Sequence, residues 1–197
     1  YTFGYKKNPD GKVRIFLHHS SVPFAAGPTI APITLEDVKA AQEEWSQSIV
    51  GISKTYLEGG DYVAAAGQAA VNLYGFGKSN VLFKPSKAKQ FRPTPSAAMS
   101  YFVGKEGVED GYDEDTGFAI NGGKGWSDIE WENHNIDITG NVAIAMGNLH
   151  LTSAFDMRVA TCEYTFGYKR NDDGKLRIFL HHSSLPFKIE LDSFAVP

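Results

Sequence analysis

Two histidines and two serines stand side by side near the end of the chain, in a segment rich in the residue types of β-strands. Because side chains alternate across a strand, His181 and Ser183 would share one face, and His182 and Ser184 the other. An imidazole and a hydroxyl that face one cavity could move a proton and donate hydrogen bonds. The plainer interpretation is a hydrogen-bonded core histidine followed by serines that end the strand.

A second group of hydroxyl-bearing residues lies between residues 83 and 102. Ser86 follows a short strand-like run, and Thr94 and Tyr101 accompany a short helical stretch, so all three could border a cavity opposite the last strand. Alternatively, Ser86 and Thr94 are turn and helix-cap residues, and Tyr101 is a core aromatic with its hydroxyl at the rim. The spacing leaves both interpretations open.

The remaining histidines do not complete a metal-binding pattern. A tetrahedral zinc site needs at least three convergent ligands, and His134 and His150 lie on other predicted strands without a ligand spacing. We therefore expect neither a bound metal nor a cofactor. The single cysteine, Cys162, excludes a disulfide within the domain and fits a reducing compartment.

The composition is that of a globular protein, with 42% apolar and 13% aromatic residues. A net charge of -4 and the lack of a basic stripe argue against nucleic acid as a partner. No apolar run reaches the length of about 18 residues that predicts a membrane span. An acidic cluster among glycines is predicted to be a solvated surface loop; its members are Glu109, Asp110, Asp113, Glu114 and Asp115.

The elements that would position these side chains begin with helices. Apolar residues recur at spacings of three and four over residues 35–56, after a capping-box signal at Thr34. A second helix is predicted for residues 61–73, a short strand for 81–83 and a short helix for 96–103. Each of these elements ends at glycine or proline residues.

The final third of the chain has the pattern of a sheet. Residues 104–125 are rich in glycine and predict a long loop. Four runs rich in Ile, Val, Thr, Tyr and Phe follow, at residues 128–139, 142–152, 157–169 and 175–184. Helices first and a meander of strands last predict an α+β fold, in which a curved antiparallel sheet wraps around the N-terminal helices and leaves a cone-shaped cavity.

The chain also contains a duplication. The sequence of residues 1–24 is repeated at residues 164–187 with four substitutions. A segment of this length is too short to be a domain. We predict that residues 1–24 are the C-terminal hairpin of a preceding repeat, 25–32 a linker, 33–187 one complete cone-fold catalytic domain, and 188–197 the start of another linker. The isolated hairpin is expected to pack onto a sheet edge or into the dimer region of a neighbouring copy.

Several motifs carry a resemblance to a known family. The segments GGDYV, YGFGKSNVLFKPSKAKQFRPT, MSYFVG, AMGN and YTFGYKR…LRIFLHHSSLPF resemble those of the iota-class carbonic anhydrases of photosynthetic microbes. These belong to the nuclear-transport-factor-2-like superfamily, with SnoaL-like proteins and the association domain of calcium/calmodulin-dependent kinase. The resemblance covers residues 33–187 and implies a cone fold that occurs singly or in tandem.

The resemblance also implies an activity and a set of site residues. Members of that family hydrate carbon dioxide to bicarbonate without a metal, in a cavity where a threonine, a tyrosine, a histidine and a serine hold bicarbonate. In this sequence the tyrosine corresponds to Tyr101, and the histidine and serine to His181 and Ser183. The threonine corresponds to Ser86, which keeps the hydroxyl but lacks the methyl, with Thr94 as the alternative.

A working mechanism follows from these assignments. The hydroxyl groups would hydrogen-bond the water and the oxyanion, and neutral His181, with an ordinary pKa of about 6.5, would accept or relay the proton. Apolar walls formed by Phe83, Phe102 and Phe179 would hold the gas and exclude bulk water. The expected assembly is a homodimer, and the resemblance implies a chloroplast or another photosynthetic compartment.

Two alternatives come from other functional classes. The domain could be a non-catalytic hub that assembles other modules into rings, with the two histidines and two serines in a structural role. It could also be a SnoaL-like cyclase or isomerase that uses a carboxylate in the cavity, for which Glu130, Glu132 and Glu163 are the candidates. Solution mass distinguishes a large ring from a dimer.

Overall fold

The computed structural model describes residues 1–22 and 30–187. In these ranges the chain forms three α-helices, α1 (Leu35–Leu57), α2 (Tyr62–Leu73) and α3 (Pro95–Val103), and short 3₁₀ helices at Lys105–Gly107 and Phe118–Gly123. None of the described helices is long and apolar enough to cross a membrane. The bounds of the three α-helices are close to those predicted from the sequence.

Each α-helix begins at a side chain that satisfies its free backbone N–H groups. Thr34 and Asp37 form the reciprocal capping box of α1. Asp61 accepts from the backbone N–H of residue 64 at the start of α2, and Thr94 accepts from that of residue 97 at the start of α3. Pro95, which has no N–H to leave unpaired, occupies the first helical position of α3.

The main sheet has five strands: β3 (Leu82–Lys84), β4 (Trp126–Thr139), β5 (Val142–Ser153), β6 (Val159–Arg170) and β7 (Leu176–Ser184). Their order in the sheet is β3-β7-β6-β5-β4. β3 pairs parallel with β7, and every other neighbouring pair is antiparallel. The sheet is mixed because the short strand β3 joins its edge in parallel. Together the helices and the sheet form the predicted α+β cone fold.

Helix α1 packs against the inner face of this sheet. The ring of Trp45, which is 1% exposed, lies edge-on to Trp131 on β4 at 5.5 Å and to Phe166 on β6 at 5.6 Å. Ile49 and Ile52, one and two turns further along α1, are also buried. The helical period of the sequence thus places one face of α1 inside the cone.

The acidic loop differs from its prediction as a solvated segment. Asp115 is 4% exposed and accepts two hydrogen bonds, of 2.8 and 3.0 Å, from the guanidinium of the fully buried Arg92. Ser100 of α3 donates a third at 2.6 Å, and Glu114 also accepts from Arg92. The loop therefore folds inward because a buried cation needs an anionic partner. We call Arg92, Ser100 and Asp115 the arginine clamp.

Residues 1–22 form a separate two-stranded sheet of β1 (Thr2–Lys7) and β2 (Val13–His19), whose side chains are mostly exposed. Its pairing repeats that of β6 and β7, including a bulge after Gly4 that corresponds to the bulge after Gly167. Most of the predicted linker, and the predicted segment 188–197, lie outside the described residues.

Candidate active site

A cavity of about 310 Å³ opens between the inner face of the sheet, helix α3 and the loop that follows it. Tyr101 and Ser183 lie deep in its wall, while Ser86, Lys87 and Thr116 stand at its more exposed mouth. The apolar part of the lining comprises Phe118, Trp126, Leu151, Ala160, Cys162 and Leu185. The remaining lining residues are Gly117, Asn121, Gly122 and Thr161.

The hydroxyl of Ser183 is the most unusual polar group in this cavity. The residue is 6% exposed, and its Oγ has no hydrogen-bond partner of normal geometry within the described residues. Ser86 approaches the same residue from the other side, because its hydroxyl donates to the Ser183 carbonyl oxygen at 2.9 Å. The Ser183 hydroxyl is therefore free to bind a ligand in the cavity. A ligand would satisfy it, whereas a buried polar group without a partner is costly.

Tyr101 contributes the second deep hydroxyl. Burial raises its pKa well above the ordinary value, and nearby Cys162 and Tyr74 act in the same direction, while the neighbouring Ser183 hydroxyl partly offsets the rise. The phenol consequently keeps its proton at neutral pH and acts as a hydrogen-bond donor.

His181 lies further into the core than the cavity wall. Its ring centroid lies 4.2 Å from that of Phe166 and 4.5 Å from that of Phe83, and the residue is 2% exposed. The Nδ1 atom is 2.8 Å from the hydroxyl of Tyr74. Burial, with a smaller contribution from His182, lowers the pKa of His181 to about 3. The imidazole is therefore neutral at physiological pH and is a weak base.

The strand period places His181 and Ser183 on the inner face of β7, with His182 and Ser184 on the outer face. Phe179 does not follow the same period. The bulge beside Gly167 pairs Ile178 with Tyr168, so Ile178 is buried inside the cone. Phe179 instead packs over Gly167, half-buried and away from the cavity. The sequence predicted that the ring of Phe179 would form part of the cavity wall, but Phe179 does not belong to the described lining.

Three other candidates also lie apart from the cavity wall. Thr94 is exposed and caps α3, which agrees with the cap interpretation, and it does not belong to the described lining of the cavity. Phe83 and Phe102 are buried, with their rings 5.6 Å apart, and pack behind Tyr101 at 5.7 and 5.3 Å. They support the position of Tyr101 instead of lining the cavity.

The sequence did not identify the loop residues that complete the lining. Thr116 and Phe118 flank Gly117, whose φ of 83° suits glycine and where a Cβ would lie 2.7 Å from the Ile120 side chain. The only signal in the sequence that could have indicated these lining residues was the position of Gly117 within a glycine-rich loop. Asn121, also with a positive φ, contributes to the same wall.

The carboxylates proposed for a SnoaL-like reaction lie elsewhere. Glu130 and Glu132 are exposed, and Glu163 accepts from Ser184 on the outer face of the sheet. Neither an aspartate nor a glutamate belongs to the described lining of the cavity. Among residues 1–22 and 30–187, no group of three or more His, Cys, Asp or Glu side chains is placed to hold a metal ion.

Comparison with known proteins gives consistent results. The family model of metal-independent carbonic anhydrase matches residues 36–185. A metal-independent carbonic anhydrase from Nostoc sp. is 40% identical over 161 residues, which are 79% of this chain and 75% of that protein. The iota-carbonic anhydrase of a cyanobacterium, solved in complex with bicarbonate, is 37% identical with a TM-score of 0.75, over 84% of this chain and 100% of that chain. The matched residues span nearly all of the cone domain, and the chain belongs to the metal-independent carbonic anhydrase family.

Proposed function

We propose that the cone domain, residues 33–187, interconverts carbon dioxide and bicarbonate in the cavity described above, without a metal ion. The observation that carries this proposal is the buried hydroxyl of Ser183, which has no partner of normal geometry within residues 1–22 and 30–187 and lies beside the protonated phenol of Tyr101. Further support comes from the similar cyanobacterial enzyme, which was solved with bicarbonate. These two donors define a place where a small oxyanion can bind.

The three hydroxyls have different roles because their protons are used differently. Tyr101 and Ser183 have protons to donate and would stabilise the negative charge that develops on an oxygen of carbon dioxide. The proton of Ser86 is already directed to the Ser183 carbonyl oxygen. Its lone pairs remain, so Ser86 would accept a hydrogen bond from the attacking water and orient it.

In the reaction, the water oxygen forms a bond to the carbon of carbon dioxide. One C=O electron pair moves to an oxygen, which becomes the bicarbonate oxyanion, and the water gives up one proton. The apolar lining, including Trp126 and Leu151, provides a dry surface for the uncharged gas. Hydrogen-bond donors fixed in such apolar surroundings stabilise a negative charge more strongly than they would in water.

The proton requires an acceptor, and His181 is poorly suited to that role because its pKa is lowered to about 3. Burial raises the pKa of Cys162 to about 11, so this thiol is protonated at neutral pH. The described lining contains neither a histidine nor a carboxylate. We therefore assign the proton to a buffer base or hydroxide that enters from solution through the mouth of the cavity.

Replacing Tyr101 by Phe tests the role of the phenol. We expect turnover to fall by about a hundredfold, because one preorganised donor to the oxyanion is lost. The matched control is Tyr164→Phe, which removes a similarly buried hydroxyl that binds Asn133 outside the cavity. Stopped-flow hydration of carbon dioxide measures both variants, with circular dichroism to verify folding. Equal turnover in the two variants would remove Tyr101 from the mechanism.

We further propose that the domain is one of a series of repeats and forms a homodimer. The identical register and bulge of residues 1–22 and of β6 with β7 support the first proposal. Solution mass tests the second, with twice the chain mass of 21.6 kDa expected. A ring of many subunits would instead favour the hub alternative.

A further inference from the structure

Three buried aromatic side chains form a hydrogen-bonded series behind the cavity. The indole Nε1–H of Trp45 donates to the hydroxyl oxygen of Tyr74 at 3.0 Å, and this hydroxyl is 2.8 Å from Nδ1 of His181. Their exposed fractions are 1%, 3% and 2%, respectively. The residues come from α1, from the residue that follows α2, and from β7. We call this set the aromatic relay.

The donors and acceptors of the aromatic relay fix its protons. An indole N–H can only donate, so it occupies one lone pair of the Tyr74 oxygen. Within the described residues, the only acceptor available to the Tyr74 proton is Nδ1 of His181. That nitrogen must then be unprotonated, and a neutral imidazole with an unprotonated Nδ1 carries its proton on Nε2.

We infer that Tyr74 is a positioning residue that, supported by Trp45, holds His181 in the Nε2-protonated tautomer, so that the nitrogen not bound to Tyr74 can donate a hydrogen bond but cannot accept a proton. The catalytic consequence rests on the proposed function. In this tautomer the imidazole, which lies behind the cavity wall, offers the site an N–H dipole that favours developing negative charge, whereas a base would need a lone pair on the same nitrogen. Tyr74 thereby selects between a donor and an acceptor role.

Protonation of His181 would break this arrangement. Both nitrogens of an imidazolium donate, so the Tyr74 oxygen would face two donors and its own proton would lose its acceptor in a buried site. Burial also opposes protonation, because it lowers the pKa of His181. The titratable side chains around the imidazole are Tyr74 after α2, Tyr101 on α3 and His182 on β7, while Lys84 on β3 contacts His182. None of them is an anion that would favour the imidazolium.

Packing keeps the ring from turning over. Besides its contacts with Phe166 and Phe83, the imidazole lies nearly parallel to the Tyr74 ring, with an interplanar angle of 14° and centroids 6.1 Å apart. Trp45 closes another side at 6.1 Å. A flip that exchanged the two nitrogens would have to displace these aromatic neighbours. The hydrogen bond and the packing therefore select the same orientation.

The test is ¹⁵N NMR of the histidine side chains in the full chain, assigned with His181→Gln. In the wild type we expect Nδ1 of His181 to be unprotonated and Nε2 protonated, unchanged from pH 8 to pH 5. In Tyr74→Phe we expect a mixture of tautomers and a fall in kcat of about tenfold, with a smaller change in KM. Tyr62→Phe, whose hydroxyl contacts the Val103 carbonyl, is the control and should keep both the tautomer and kcat.

The outcomes separate this inference from the proposed function. A wild-type spectrum with protonated Nδ1, or a Tyr74→Phe spectrum that keeps the wild-type tautomer, would overturn the inference whether or not the chain hydrates carbon dioxide. The wild-type spectrum alone decides the tautomer if Tyr74→Phe does not fold. An Nε2-protonated His181 in a chain without hydration activity would overturn the proposed function and leave the tautomer assignment standing.

Discussion

Ser183 shows how one side chain can favour function over stability. Its hydroxyl is buried and has no partner of normal geometry in the described part of the chain, so the folded protein carries the desolvation penalty of a polar group that has lost its bond to water. Ser46 is equally buried, but its hydroxyl accepts from the Trp131 indole at 2.7 Å. The two serines therefore differ in what their hydroxyls contribute to folding.

Replacing Ser183 by Ala should leave stability unchanged or raise it by up to about 1 kcal/mol, because its hydroxyl makes no hydrogen bond of normal geometry to the described residues. Turnover should fall by about a hundredfold, because an oxyanion donor is lost. Ser46→Ala should behave oppositely, losing about 1–3 kcal/mol as Trp131 loses its partner, while turnover persists. Urea denaturation and stopped-flow assays measure both effects. A large loss of stability in Ser183→Ala would mean that its hydroxyl is bonded within the protein.

His181 should give the protein a specific dependence of stability on pH. Its pKa is lowered to about 3 in the folded state, against about 6.5 in the unfolded chain. Between these values only the unfolded chain binds the proton, so stability falls as pH decreases from about 6.5, by at most about 1.4 kcal/mol per pH unit for this group. The neighbouring His182, whose pKa is also lowered, acts in the same direction.

Urea denaturation between pH 7 and pH 4.5 tests this prediction through the slope of stability against pH. His181→Gln should have a shallower slope than the wild type, whatever its absolute stability. Thr139→Ala, which changes an exposed neutral side chain, should keep the wild-type slope. An unchanged slope in His181→Gln would mean that the imidazole is as easily protonated in the folded state as in the unfolded chain.

At the scale of the elements, the arginine clamp joins three parts of the cavity frame. Arg92 donates its backbone N–H to the Phe83 carbonyl on β3, and its guanidinium holds Asp115, which precedes the lining residue Thr116. Ser100 ties the same carboxylate to α3, one residue before Tyr101. The clamp thus fixes the distance between the mouth of the cavity and its deep hydroxyl.

Replacing Arg92 by Met should lower stability by about 3–5 kcal/mol, because it leaves Asp115 buried without its counter-charge. The double variant Arg92→Met, Asp115→Leu should recover part of that loss, since no unpaired charge remains. Lys105→Met, which removes an exposed ion pair with Asp113, should leave the urea midpoint unchanged. Equal destabilisation by the single and double variants would show that the charge pair is not the source of the effect.

The helices and long strands were predictable because their signals are local. Thr34, Asp61 and Thr94 stand where the caps were expected, and the four strand-like runs became β4 to β7. The burial of Asp115 was not predictable, because it depends on Arg92, 23 residues away. The parallel pairing of β3 with β7 likewise joins segments distant in sequence.

At the scale of the whole molecule, the duplicated hairpin separates local from tertiary information. Residues 1–22 adopt the pairing and bulge of β6 and β7 within their own two-stranded sheet. The hairpin sequence therefore encodes its own register. The cavity, however, requires α1, α3 and the clamp, so the face of His181 and Ser183 was predictable from the strand period, whereas Thr116, Phe118 and Asn121 were not.

The position of Phe179 illustrates the same boundary. Strict alternation places it beside His181, but the bulge next to Gly167 shifts the register by one residue and puts Ile178 inside. The bulge recurs beside Gly4 and Gly167 in the two copies, and an isolated glycine within each strand pattern was the signal that could have marked its place. Regular periods therefore predicted which residues share a face only between irregularities.

The measurement that tests the central claim most directly is stopped-flow hydration of carbon dioxide by the chain after dialysis against a strong metal chelator. A cavity that works through Tyr101, Ser183 and Ser86 should retain its full turnover after this treatment, and addition of zinc should not increase it. Loss of turnover with the chelator and its return with zinc would contradict the account, and so would a chain that is inactive both before and after dialysis.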